Sequence, residues 1–201
     1  MGKDFHFGVL GENEESFYAG LKKKKDILLD PITSFLAKNR IKPVWVTALS
    51  FGMVLPFIYF FKFNPWISII FLVLNVILDG LDGSLARRQG SATGSGAVID
   101  TTSDNLSFIV IFFTLFYYGL FNTFWGALYI CNYIGMLFLA IISRGMKIQV
   151  FPIIRSRLYF YMVLFFFLFT GQNYYDQFLV LFTAYMMVTN VFLFQRIKCS
   201  L

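Results

Sequence analysis

Apolar residues gather into six stretches, at about 44–61, 65–85, 97–120, 122–143, 156–171 and 175–195. Each is close to the roughly 20 residues that an α-helix needs to cross a bilayer. Polar breaks separate them: Asn64-Pro65, the GSATGSG turn at 90–96, Asn122, and Gly171-Gln172-Asn173. The pattern predicts an all-α polytopic membrane protein with six transmembrane helices. A shorter amphipathic helix is expected at about 31–40, with Asp30 as N-cap and Pro31 as the first helical residue. Ile32, Phe35 and Leu36 share one of its faces, and Lys22 to Lys25 precede it. That combination predicts a helix lying in the membrane interface. Residues 1–42 are thus expected to be a cytoplasmic segment carrying this helix, and 43–201 a single membrane domain.

Composition agrees with the pattern. Of 201 residues, 58% are hydrophobic and only 14% charged, against about 25% charged in soluble domains. The first 25 residues are polar and lack an apolar core, so no cleavable signal peptide is expected. His6 stands where a myristoylation motif needs Ser or Thr, and as the single histidine it reads as a solvated residue. Cys131 and Cys199 have no metal-binding spacing and read as reduced thiols.

The basic residues orient the spans. With six spans both termini share a side, and that side collects every Lys and Arg except Lys62. By the positive-inside rule it is cytoplasmic. The net charge of +6 then reports orientation and attraction to anionic lipid rather than nucleic-acid binding.

Against this background four acidic residues stand out: Asp79, Asp82, Asp100 and Asp104. From residue 31 onward the only other is Asp176. A carboxylate at mid-membrane depth costs roughly 3 kcal/mol, so four uncompensated ones would cost on the order of 10 kcal/mol. Asp79 and Asp82 are three apart at the end of the second span, and Asp100 and Asp104 four apart at the start of the third. Each pair shares a helix face, and the short loop between the helices lets both pairs converge at one depth. Two divalent cations would let all four ionise. Oxygen ligands without nearby His or Cys favour Mg²⁺ or Mn²⁺. Such ions commonly borrow ligands from phosphates, which suggests a diphosphate substrate and two-metal phosphoryl transfer. Gly83, Ala86, Gly94 and Gly96 permit close approach, and Arg87, one turn past Gly83, is placed to pair with phosphate oxygens.

Written with its spacing, the segment is D79-x2-D82-G83-x2-A86-R87-x8-G96-x3-D100-x3-D104. It resembles the signature of the CDP-alcohol phosphatidyltransferase family at every defining position. Pro43 and Thr47 resemble that family's P-N-x-[IVL]-T element, with Val44 in place of Asn. The resemblance implies transfer of a phosphatidyl-type group from a CDP-linked lipid to a water-soluble alcohol, with release of CMP. It implies metal ligation by Asp79, Asp82, Asp100 and Asp104, with Asp104 also the general base. It implies nucleotide and diphosphate contacts at Thr47, Asp82, Gly83, Ala86, Arg87 and Gly96. Members using phosphorylated acceptors carry basic residues between the fourth and fifth spans, where Arg144, Lys147, Arg155 and Arg157 stand here. A homodimer with a cytoplasmic active site is also implied. Two other classes fit the acidic residues less well. Intramembrane prenyltransferases usually have more spans and two separated Asp-rich motifs. Ion transporters spread acids along a path at several depths.

Overall fold

A computed structural model describes residues 29–91, 93–146 and 156–200, which fall into two compact units. The expectations for His6, for Lys22 to Lys25 and for residues 1–28 generally lie outside the described residues. Among those described, all regular structure is helical. Five stretches are long and apolar enough to cross a membrane, and a sixth apolar helix is shorter.

The first unit runs to Thr114. It holds α1 (29–38), α2 (Pro43–Gly52), α3 (Val54–Phe61), α4 (Pro65–Arg88) and α5 (Gly94–Tyr117) up to its last residues. The expected first span is present at Pro43–Phe61, broken into two helices. Pro56 has no N–H to offer the carbonyl of Gly52, four residues earlier, and its ring crowds that carbonyl. The chain turns at Met53 and resumes as α3. Both α2 and α3 pack against α4.

α4 starts as its sequence suggests. Asn64 accepts hydrogen bonds from the amides of Trp66 (3.0 Å) and Ile67 (3.3 Å), and Pro65 follows as a first-turn residue. Its 24 residues extend about 36 Å, enough for a hydrocarbon core of about 30 Å. Ser68, Leu72, Asn75 and Asp82 form one buried stripe at spacings of four, three and seven. The helix ends in a Schellman turn: Ser91 N–H donates to Ala86 O (3.0 Å), and Gly90 takes a φ of 64°.

Two helix starts differ from expectation. Asp30 is not an N-cap, because α1 is already helical at residue 29. Its carboxylate instead pairs with Arg88 at the end of α4. Gln89 adds a bond from its side chain to Ile41 O (2.8 Å). Leu36, Ala37 and Ile41 pack on Val46, Leu81 and Leu85, so α1 lies against α2 and the C-terminal end of α4. The second difference is at α5. Gly94 and Gly96 belong to the helix, not to the preceding turn, because Thr93 caps it: Thr93 Oγ1 accepts from Gly96 N–H at 3.1 Å.

The second unit holds α6 (Thr123–Gly145), α7 (Ser156–Thr170) and α8 (Tyr175–Ser200). Asn122 and Asn173 cap α6 and α8, accepting from Phe124 N–H (2.9 Å) and Tyr175 N–H (3.0 Å). Asp176 accepts from the amide of Asn122 at 2.7 Å, which ties the two turns together. Phe121, Tyr129, Phe160, Tyr175 and Phe178 form an aromatic core beneath them. The described part of α7 has 15 residues, about 22 Å, against the about 30 Å of a hydrocarbon core.

α6 packs along α8. Midway, Asn190 Nδ2 donates to Asn132 O at 3.1 Å, and Gly135 opposite leaves room for the amide. Interhelical hydrogen bonds in membranes average about 0.6 kcal/mol and reach about 1.7. Asn190→Leu is therefore expected to destabilise the α6–α8 pair by about 1 kcal/mol. Unfolding in mixed detergent micelles measures this. Elsewhere Trp45, Leu55, Phe138, Ile141, Leu181 and Val188 are exposed, as residues facing lipid should be. Cys131 and Cys199 are both free and exposed.

Candidate active site

The four aspartates all lie in the first unit, on α4 and α5. Three of them converge. Asp79, Asp100 and Asp104 each contribute one carboxylate oxygen to a group whose members lie within 4.8 Å of one another. All three side chains are half-buried. Spacing explains the convergence: Asp100 and Asp104 are one helical turn apart on α5, and Thr93 starts that helix early enough to bring them opposite the end of α4. Two ionised carboxylates at such a separation repel by about 3.5 kcal/mol at an effective dielectric of about 20. A doubly charged cation reverses that balance.

The donor set fits a hard divalent ion. It is all oxygen. On an octahedral ion with bonds of about 2.1 Å, neighbouring ligands stand about 3.0 Å apart and opposite ones about 4.2 Å, so three atoms within 4.8 Å of one another are drawn together by up to about 2 Å, within the reach of side-chain rotation.

Asp82 has a different setting from the other three. It is 3% exposed. Its Oδ2 accepts from Thr47 Oγ1 at 2.6 Å, and its Oδ1 from the amide of Gly83 at 2.6 Å. Thr47, itself buried, also donates to Pro43 O at 3.3 Å. The threonine of the P-x-x-x-T element is thus spent on a carboxylate of the second helix, a link of 35 residues that neither segment reveals alone.

Beyond Asp82, α4 ends with Gly83, Ala86 and Arg87. Gly83 and Ala86 are half-exposed and Arg87 is exposed. Arg87 folds back along the helix: Nη2 donates to Ser84 Oγ at 3.2 Å, and a Cβ at Gly83 would stand 3.5 Å from Nη1. Ser84 in turn donates to Gly80 O at 3.2 Å. Ser84 was not singled out in the sequence, although its place three residues before Arg87 puts it on the same face. Gly96 is half-buried, under the cap made by Thr93.

The basic residues expected to meet an acceptor are in the second unit. Arg157 lies in the first turn of α7 and is partly buried. Arg144 lies in the last turns of α6, with its side chain outside the described residues, as are Lys147 and Arg155 entirely.

Comparison with known proteins supplies a family. Residues 40–194 match the model for CDP-alcohol phosphatidyltransferase. An uncharacterized protein of Aquifex aeolicus is 32% identical over 88 residues, which cover 43% of this chain and 45% of that protein. An archaetidylinositol phosphate synthase of Pyrococcus horikoshii is 36% identical over 93 residues, covering 46% of this chain and 50% of that enzyme. The chain spans about half the length of these curated relatives. No solved structure matches it.

Proposed function

Since the chain belongs to the CDP-alcohol phosphatidyltransferase family, we propose that it moves a phosphatidyl-type group from a CDP-linked lipid to an acceptor alcohol and releases CMP. The observation that carries this reading is the convergence of Asp79, Asp100 and Asp104 beside an α4 end that presents Gly83, Ala86 and Arg87. Asp79, Asp82, Asp100 and Asp104 would hold two Mg²⁺ or Mn²⁺ ions, whose charge neutralises the diphosphate and the departing CMP.

The chain's own groups do the rest. Arg87 pairs with diphosphate oxygens, held in place by Ser84. Gly83 and Ala86 leave room for the nucleotide to lie close to the α4 backbone, Gly96 borders that pocket, and Thr47 acts on it through its bond to Asp82. Asp104 accepts the proton of the acceptor hydroxyl as its oxygen forms a bond to the lipid-side phosphorus. The bond from that phosphorus to the bridging oxygen breaks, and CMP leaves with the electron pair. The position of the aspartates at one end of α4 suits a donor anchored in lipid and an acceptor arriving from water. By the distribution of Lys and Arg, that end and both termini are cytoplasmic. A homodimer is the expected assembly.

The acceptor is proposed to be a phosphorylated polyol such as inositol phosphate or glycerol phosphate. Arg144, Lys147, Arg155 and Arg157 supply cations for its phosphate. The Pyrococcus relative, by its name a maker of archaetidylinositol phosphate, supports that choice. The test is CMP release by liposome-reconstituted protein given a CDP-linked lipid and a panel of alcohols, free and phosphorylated. Inositol phosphate or glycerol phosphate is expected to drive release at least 10-fold faster than free inositol, glycerol or serine, since losing a charge-assisted contact costs about 1.5 kcal/mol or more. A free alcohol that matches them removes the acceptor reading.

A further inference from the structure

Two residues outside the signature, Ser50 and Asn75, form a second link between α2 and α4. Ser50 Oγ donates to Asn75 O at 2.9 Å. Asn75 Nδ2 donates back to Ser50 O at 2.8 Å and to Ser50 Oγ at 3.1 Å. Both side chains are buried, Ser50 to 5% and Asn75 to 6% exposure. An amide in the apolar part of a membrane helix needs such partners, because lipid offers none.

The placement of this link matters. On α4, Asn75 is four residues before Asp79, and Asp82 three residues after it, so all three share one face. On α2, Ser50 and Thr47 are three apart and face them in reverse order. Thr47 bonds Asp82 and Ser50 bonds Asn75. Asp79 is therefore bracketed by one rung on each side. The upper rung also reaches its peptide directly, since the carbonyl of Asn75 is the i−4 acceptor for the amide of Asp79 in an α-helix.

α2 needs lateral anchoring of this kind. It has ten residues, and the turn at Met53 interrupts its continuation into α3. The rotation of α4 about its axis sets where the Asp79 carboxylate stands. A carboxylate about 6 Å from the axis moves about 1 Å for a rotation of about 10°. Metal ligands tolerate about half that displacement.

We infer that Ser50 and Asn75 are positioning residues for the carboxylate site: their reciprocal hydrogen bonds fix the rotation of α4 that brings Asp79 to Asp100 and Asp104. The inference rests on the reading of these aspartates as a divalent-metal site, but not on which reaction the site performs.

The test is direct manganese binding to the purified full chain, followed by the electron paramagnetic resonance signal of free Mn²⁺ with no lipid substrate present. Ser50→Ala and Asn75→Leu are each expected to weaken Mn²⁺ binding about 10-fold or more, as losses behind a metal ligand typically do. The exchanged pair Ser50→Asn with Asn75→Ser restores the amide and hydroxyl on opposite helices and is expected to recover most of the affinity. Asn190→Leu serves as the control for general destabilisation, and should leave Mn²⁺ affinity unchanged at a similar loss of unfolding midpoint. Ser50→Ala removes a single oxygen and keeps the test available if Asn75→Leu does not fold. Unchanged Mn²⁺ affinity in Ser50→Ala overturns the inference, as does an equal loss in Asn190→Leu. Wild-type protein that binds no Mn²⁺ removes the metal reading itself. Wild-type protein that binds Mn²⁺ without releasing CMP removes only the proposed reaction.

Discussion

Asp104→Asn is expected to lower CMP release by about 10²- to 10⁴-fold, the usual contribution of a general base, while CDP-lipid binding changes little. The expectation follows from what the substitution keeps. Asn preserves shape and one oxygen toward Asp79 and Asp100, so the cluster proposed to hold the ions keeps most of its donors. What is lost is the capacity to take a proton from the attacking hydroxyl. An assay of CMP release beside a separate measurement of CDP-lipid binding separates the two effects. An active Asp104→Asn enzyme would remove the base assignment. A variant that loses binding and turnover together would mark Asp104 as a ligand first.

Removal of divalent ions is the second large effect. Chelation is expected to abolish turnover, and added Mg²⁺ or Mn²⁺ to restore it. Without a cation, carboxylates within 4.8 Å of one another repel. The cluster would then offer the proposed diphosphate little but negative charge. The same argument applies to folding: a bound cation would offset much of the cost of holding Asp79, Asp100 and Asp104 ionised in the membrane. Turnover that survives exhaustive chelation would refute the two-metal reading, whatever became of the family's overall chemistry.

Much of this site could be read from sequence because it is made of local periodicities. Three- and four-residue spacings on two helices joined by a short turn leave few arrangements, and Asp79, Asp100 and Asp104 meet as those spacings imply. Helix starts were legible where the caps were strong, at Asn64-Pro65 and Asn122. They were misread where a weaker signal competed. Asp30 looks like a cap, but Leu29 before it is already helical and Arg88 claims its carboxylate. The glycines at 94 and 96 look like a turn, yet Thr93 caps the helix ahead of them. The break at Met53 was present in the sequence as Pro56, whose effect falls four residues upstream of itself.

Long-range pairing was not legible. Thr47 meets Asp82 across 35 residues, and Ser50 meets Asn75 across 25. Thr47 and Asp82 each belong to a motif, but neither motif says that they meet, and Ser50 and Asn75 belong to none: a polar residue on a buried stripe looks the same whether it binds substrate, a neighbouring helix or nothing. The departure of Asp82 from the other three carboxylates belongs to the same class. Its spacing from Asp79 is right for a shared face, and only the fold reveals that Thr47 and the Gly83 amide engage it.

The central claim is that the α4–α5 carboxylates run a CMP-releasing transfer. Its most direct test is CMP release from a CDP-linked lipid by the reconstituted chain, with Mn²⁺ and a mixture of acceptor alcohols, compared with Asp79→Ala and Asp100→Ala. The account predicts release by the wild-type protein and a loss of at least about 10²-fold in each variant. No release with any acceptor, or release that survives both substitutions, would contradict it.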